Sequence, residues 1–214
     1  MPDLASLALY LAAASILAVT PGPGLFYVAA RSLAGGRAEG VASSFGTGLG
    51  GMVHVLAGGL GVSAVVLASA EWFTALKLGG AAYLVWIGYR TLRAARQAES
   101  AATEADAPPV GPGRAFREGV LVEALNPKTA AFFLAFVPQF VDPAAGSVAL
   151  QFVGLGAVSV ILNTLADLAV AVAASRLRTG AAARPGLIRR LREASGAAMI
   201  ALGLGLAVAR RPAA

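Results

Sequence analysis

The sequence predicts an all-α polytopic membrane protein with six transmembrane helices, built as two inverted three-helix repeats whose first and fourth helices are broken. Composition, segment length and arginine placement lead to that class. Of 214 residues, 57% are hydrophobic and 13% charged, against about 25% charged in an ordinary soluble domain. Mean hydropathy is +0.73, and the shortage of charge runs along the whole chain. Several apolar segments reach the roughly 20 residues that cross a bilayer. Arginines cluster between alternate segments.

The first segment, 4–30, lacks a basic n-region and a small-residue cleavage site, so it is not expected to be a removable signal peptide. TPGPG (20–24) interrupts it. The second, 41–68, holds the glycine-rich run GTGLGGMVHVLAGGLG. The third, 72–89, opens on Trp72 with Lys77 near its outer end, a side chain that snorkels and anchors. The link 97–113, QAESAATEADAPPVGPG, mixes small, acidic, proline and glycine residues and reads as a flexible cytoplasmic loop. It divides the single domain 1–214 into pseudo-repeats 1–96 and 114–214. The fourth and fifth segments, 116–141 and 144–174, are long enough to tilt or fray. The sixth, 194–209, is short. All six are helices unless they line a polar cavity, because backbone groups in lipid must be satisfied internally.

Orientation follows from the basic residues. Arg31 and Arg37 follow the first segment, and Arg90, Arg93, Arg96, Arg114 and Arg117 flank the link between the third and fourth. Arg176, Arg178, Arg184, Arg189, Arg190 and Arg192 fill the link before the sixth, whereas ASAEW and VDPAAG carry none. By the positive-inside rule both termini face outward. Arg210 and Arg211 oppose this, and the C-terminus lies inside if the sixth segment does not cross. The net charge of +6 therefore reads as topology signal and not as a nucleic-acid surface. With no cysteine and a single histidine, disulfides, thiolate catalysis, zinc ribbons and multi-histidine metal sites are excluded. No phosphate-binding loop precedes a strand, and no cofactor is expected.

Two prolines mark corresponding places in the halves. Pro21 in VTPGPGLFYVA and Pro127 in LNPKTAAFFLA are 106 positions apart, and the same offset roughly superposes the second segment on the fifth. Each proline removes a ladder hydrogen bond and frees carbonyls that need other partners. Pro21 lies ten residues from Arg31 and Asn126 nine from Arg117, roughly 15 and 13 Å at the helical rise, so both breaks fall near the bilayer midplane. Broken helices at that depth offer free N–H and C=O groups, and a half-helix N-terminus attracts a carboxylate. Thr20, Pro21, Gly22, Pro23, Asn126, Pro127 and Lys128 are thus the candidate binding residues.

TPGP in the first segment, LKLGGAAYLVWIGYRTLR (76–93) and FREGVLVEALNPKTAAFFLAFVPQFVDP (116–143) resemble the LysE/RhtB-type amino-acid exporters of the lysine exporter superfamily. The resemblance covers nearly the whole chain, segment spacing included. It implies a bacterial inner-membrane secondary transporter expelling amino acids or close derivatives, driven by an ion or proton gradient or by membrane potential. Lys128 belongs to the family-like NPK, and pairs a substrate carboxylate or satisfies the broken carbonyls. Glu123 departs from the neutral residue common there. Three residues before Asn126 and on nearly the same face, it neutralises Lys128, meets a substrate ammonium, carries a proton, or is purely structural. Asn163 and Asp167 share a face of the fifth segment. The family's acid lies near Asn163, and here it sits one turn later, leaving Asn163 a candidate for substrate binding and Asp167 for ion or ammonium binding.

An ionisable group at mid-membrane is expensive, which marks Lys128, Glu123 and Asp167 as functional candidates. His54 is either a proton relay or a hydrogen bond between packed helices. Gly46, Gly50, Gly51, Gly58 and Gly59 show small-xxx-small spacing and mean close helix approach. That spacing and the short sixth segment also hint at a homo-oligomer. The partners expected are an amino-acid substrate, a coupling proton or ion and the bilayer. An intramembrane enzyme and a non-transporting assembly protein are the rival functions. Ser63 with His54 as base fails as a protease pair, because nine helical residues separate them by roughly 13 Å.

Overall fold

The computed structural model describes residues 4–68, 70–97, 108–177 and 185–208. Among the described residues all regular structure is helical, in seven α-helices: α1 (Leu4–Val19), α2 (Pro23–Ala68), α3 (Ala70–Gln97), α4 (Pro112–Ala124), α5 (Pro127–Ala131), α6 (Val148–Leu177) and α7 (Pro185–Val208). Between α5 and α6 the chain runs through a π turn (Phe132–Phe136) and two 3-10 turns (Val137–Phe140 and Pro143–Ala145).

Both proline breaks form. α1 ends at Val19 and α2 restarts at Pro23 with a bend of 45°, while α4 and the α5 region meet at 44°. Pro127 occupies the first turn of α5, where a missing N–H costs nothing, and Asn126 caps it by accepting the Lys128 N–H at 3.0 Å. α2 is itself two arms. Gly36 adopts φ 76°, ψ −165°, open in practice to glycine alone. A side-chain methyl at Gly40 would collide with Ser32 Oγ, yet eight helical residues span about 12 Å. The chain therefore folds back at Gly36, and the arms correspond to the end of the first predicted segment and to the second.

By length and apolar composition, Val148–Arg176 is able to cross a membrane alone, and each bent pair is able to do so as one broken span. That gives one to three candidate spans among the described helices where six were expected. The shortfall has a plain cause. α3 carries Glu71, Lys77, Arg90 and Arg93, and the basic first half of α7 leaves only Gly196–Val208 apolar. The surface is nonetheless that of a membrane protein. Ile16, Val53, Leu56, Ile161 and Leu165 are exposed while Glu123, Lys128 and Asp167 are buried, the reverse of the pattern in water.

Helices approach closely through glycine. A methyl at Gly50 would lie 2.5 Å from Val120 O and one at Gly119 2.8 Å from Ser43 O, so α2 and α4 touch backbone to backbone. Gly58 and Gly59 accept Phe152 and Val153 of α6. Gly88 of α3 and Gly196 of α7 seat each other in the same way. The glycine face that hinted at an oligomer is thus occupied within one chain. Tyr10, Phe132, Phe133 and Phe152 fill the core, and the Tyr10 hydroxyl donates to Leu155 O at 2.8 Å.

Candidate functional site

A proline leaves without its usual partner the carbonyl four residues before it. Those carbonyls are Leu17 O for Pro21 and Glu123 O for Pro127. Each is met by a side chain from the other half of the chain. Lys128 Nζ donates to Thr20 O at 2.9 Å and, more weakly, to Leu17 O at 3.4 Å. His54 Nε2 lies 2.9 Å from Glu123 O. A carbonyl only accepts, so Nε2 is the nitrogen bearing the hydrogen. The His54 ring also stacks on Phe133, 6.2 Å between centroids and 2° from parallel. The two breaks therefore brace one another, and His54 makes a hydrogen bond between packed helices.

Lys128 is 4% exposed. Gly22 makes room for it, since a methyl there would sit 3.0 Å from Nζ. Glu123 does not pair with it. Its Oε2 accepts from Asn126 Nδ2 at 2.9 Å and its Oε1 from the Thr129 hydroxyl at 2.5 Å. The carboxylate knits its own break together, with Gly24 leaving the space that Oε2 fills. The Thr20 hydroxyl turns back to Ile16 O at 2.6 Å, so Thr20 reaches Lys128 through its backbone alone.

Two cavities flank these groups. The larger, about 240 Å³, is walled by Pro21, Gly22, Pro23 and Phe26 from the first break and by Asn126, Pro127 and Lys128 from the second. Ile87 and Thr91 of α3 and Met199 of α7 close the opposite side. The smaller has room for about one water, at about 20 Å³. Its polar lining is Glu123, Thr129, Thr47, Ser159 and Asn163. Asp167 adjoins it through Thr47, whose hydroxyl donates to Oδ2 at 2.7 Å, and is 4% exposed.

The structure thus brings Pro21, Gly22, Pro23, Asn126, Pro127 and Lys128 around one space. Glu123 and Asn163 belong to another, and Asp167 and His54 line neither. Ile87, Thr91 and Met199 are additions that the sequence did not flag. Thr91 is one of several hydroxyl residues of α3, and only the docking of the helix gives it a ligand-sized space to face.

Comparison with known proteins follows this geometry. Residues 15–210 match the family described as LysE type translocator. The chain is 31% identical over 203 residues to a homoserine/homoserine lactone efflux protein of Salmonella typhimurium, covering 94% of this chain and 95% of that protein. A threonine efflux protein of Escherichia coli K12 is 33% identical over 134 residues, covering 61% of this chain and 64% of that protein. An uncharacterized membrane protein of Vibrio cholerae is 29% identical over 202 residues, 94% of this chain and 96% of its own. No solved structure matches.

Proposed function

This chain belongs to the LysE type translocator family, hence is a membrane translocator and not an enzyme, and on that premise we propose that it is a secondary-active exporter of small amino acids or close derivatives across the bacterial inner membrane. The observation that carries the reading is the cavity of about 240 Å³ walled by both helix breaks, with Lys128 buried in its wall. An ammonium has three donors. Two are directed to Thr20 O and Leu17 O, which leaves one for a substrate carboxylate. Pro23, the first residue of α2, also lines the cavity, and the positive end of that helix dipole lies there. The relatives named for homoserine and threonine efflux support an amino acid of that size.

The proposed architecture is one transport domain of six crossings, with inverted repeats 1–96 and 114–214, link 97–113 in the cytoplasm and both termini outside. The matching bends of 45° and 44° and the reciprocal bracing of the breaks support it. For coupling, we assign the buried carboxylates of Asp167 and Glu123 around the water-sized cavity, with His54 beside them. Acids at such depth are the usual components of a proton or ion path.

Expression in cells tests this reading. Producing cells are expected to tolerate inhibitory concentrations of homoserine or threonine and to hold smaller intracellular pools of them. Unchanged pools across a broad amino-acid panel would count against export.

A further inference from the structure

The cavity is chemically two-sided. Among the described residues the one charged group on it is a cation at the helix breaks, Lys128. The remaining wall is Ile87 and Thr91 of α3 with Met199 of α7. Ile87 and Thr91 are four residues apart and share a helix face. The two helices behind this wall form a unit. They meet backbone to backbone at Gly88 and Gly196, and again where a methyl at Gly203 would lie 2.8 Å from Ala81 O. The unit docks on the second break through Gly80, packed on Ala135, and through the buried cluster Ala81, Leu84, Ala131 and Leu206.

We infer that the α3–α7 pair is the specificity wall of the exporter, and that Thr91 selects an uncharged, hydroxyl-bearing substrate side chain against a basic one. This rests on the transport reading above and extends it to the residues that choose the substrate. With the carboxylate held at Lys128, the side chain of a small amino acid meets the far wall. Among the described residues no carboxylate lines the cavity, so a second ammonium there is desolvated without a counter-charge, which is strongly unfavourable. An acidic side chain has only Lys128 to pair with and competes with the substrate's own carboxylate. A hydroxyl is met by Thr91, whose Oγ both donates and accepts. An aliphatic side chain of the same shape fits the apolar surface and leaves Thr91 unanswered, a difference of about tenfold for one net hydrogen bond.

Counterflow with the full-length protein in proteoliposomes tests this, using threonine, its isostere valine, homoserine and lysine as probes. Wild type is expected to exchange homoserine and threonine about tenfold faster than valine at low concentration, and lysine not measurably. Thr91→Val should equalise threonine and valine while valine exchange persists, which also reports that the variant is folded. Thr91→Ser keeps a hydroxyl and should preserve the preference. Thr91→Asp supplies the missing counter-charge and should admit lysine. Wild-type exchange of lysine at the rate of threonine, or an unchanged threonine-to-valine ratio in Thr91→Val, overturns the inference and leaves the transport reading standing. The same holds if Thr91→Ser loses exchange along with Thr91→Val. Absence of exchange for every probe in wild type overturns both.

Discussion

Lys128 braces a broken helix and, in the proposed site, also serves a ligand. Its amine meets Leu17 O, the carbonyl that Pro21 leaves, and Thr20 O just past the end of α1, and in the proposed site its third donor is kept for a carboxylate. Gly22 is the residue that allows this. In Gly22→Ala, the new methyl lies 3.0 Å from Nζ, inside the 3.5–4.0 Å of an ordinary contact, so the amine must shift by a few tenths of an ångström and its bond to Thr20 O is strained. We expect about tenfold weaker apparent substrate affinity with normal membrane insertion, read from the concentration dependence of exchange. An unaltered affinity would place the substrate elsewhere. Asp167 makes a separate prediction. Its Oδ2 accepts from Thr47, and an amide oxygen accepts as well, so Asp167→Asn should fold. Under the proposed coupling it keeps solute exchange and loses the response of flux to an imposed pH gradient. A gradient response equal to wild type removes Asp167 from the coupling path. That lysine and these acids matter was legible from the expense of charge in lipid. That Glu123 ties Asn126 and Thr129, and not Lys128, was not legible, because two residues on one helix face do not reveal which way a broken helix turns them.

The helix breaks were legible because proline acts locally: the lost bond and the freed carbonyl are fixed by covalent chemistry. The partners of those carbonyls were not, since Lys128 and Leu17 are 111 positions apart and His54 and Glu123 69 apart. The turn at Gly36 shows the same division. Its glycines mark a reversal, but nothing local announces that Glu39 accepts the N–H groups of Val110 and Gly111 at 2.8 and 2.7 Å. Arg31, read from the sequence as a topology signal, lies 3.8 Å from Glu39 Oε2 and donates to Pro108 O at 3.3 Å. This buried group pins the chain at Pro108, Val110 and Gly111 against the α2 turn. Glu39→Ala strands the Arg31 charge and two backbone donors, and should destabilise the protein by about 3–5 kcal/mol. Thermal unfolding in detergent measures it, and an unshifted midpoint would show the network to be dispensable.

At the scale of the molecule, the segment order and the two broken elements follow from hydropathy and proline alone. The wall made by α3 and α7 depends on docking, which no periodicity encodes, and both helices carry charged ends that interrupt their apolar runs. The proposed inverted-repeat arrangement predicts opposite exposure for two positions, and a chain without cysteine is ready for single-cysteine labelling. In intact cells a membrane-impermeant maleimide should modify Ala144→Cys and spare Ser100→Cys until the membrane is opened. The reverse pattern would invert the topology. The most direct measurement is counterflow in proteoliposomes loaded with unlabelled homoserine or threonine, comparing wild type with Lys128→Met. Wild type should accumulate external label transiently. The variant, inserted normally, should be slower by roughly 10- to 100-fold, as expected for one lost hydrogen bond to a charged group. Equal accumulation by the two proteins, or none by wild type, would contradict a substrate held at Lys128 between the two breaks.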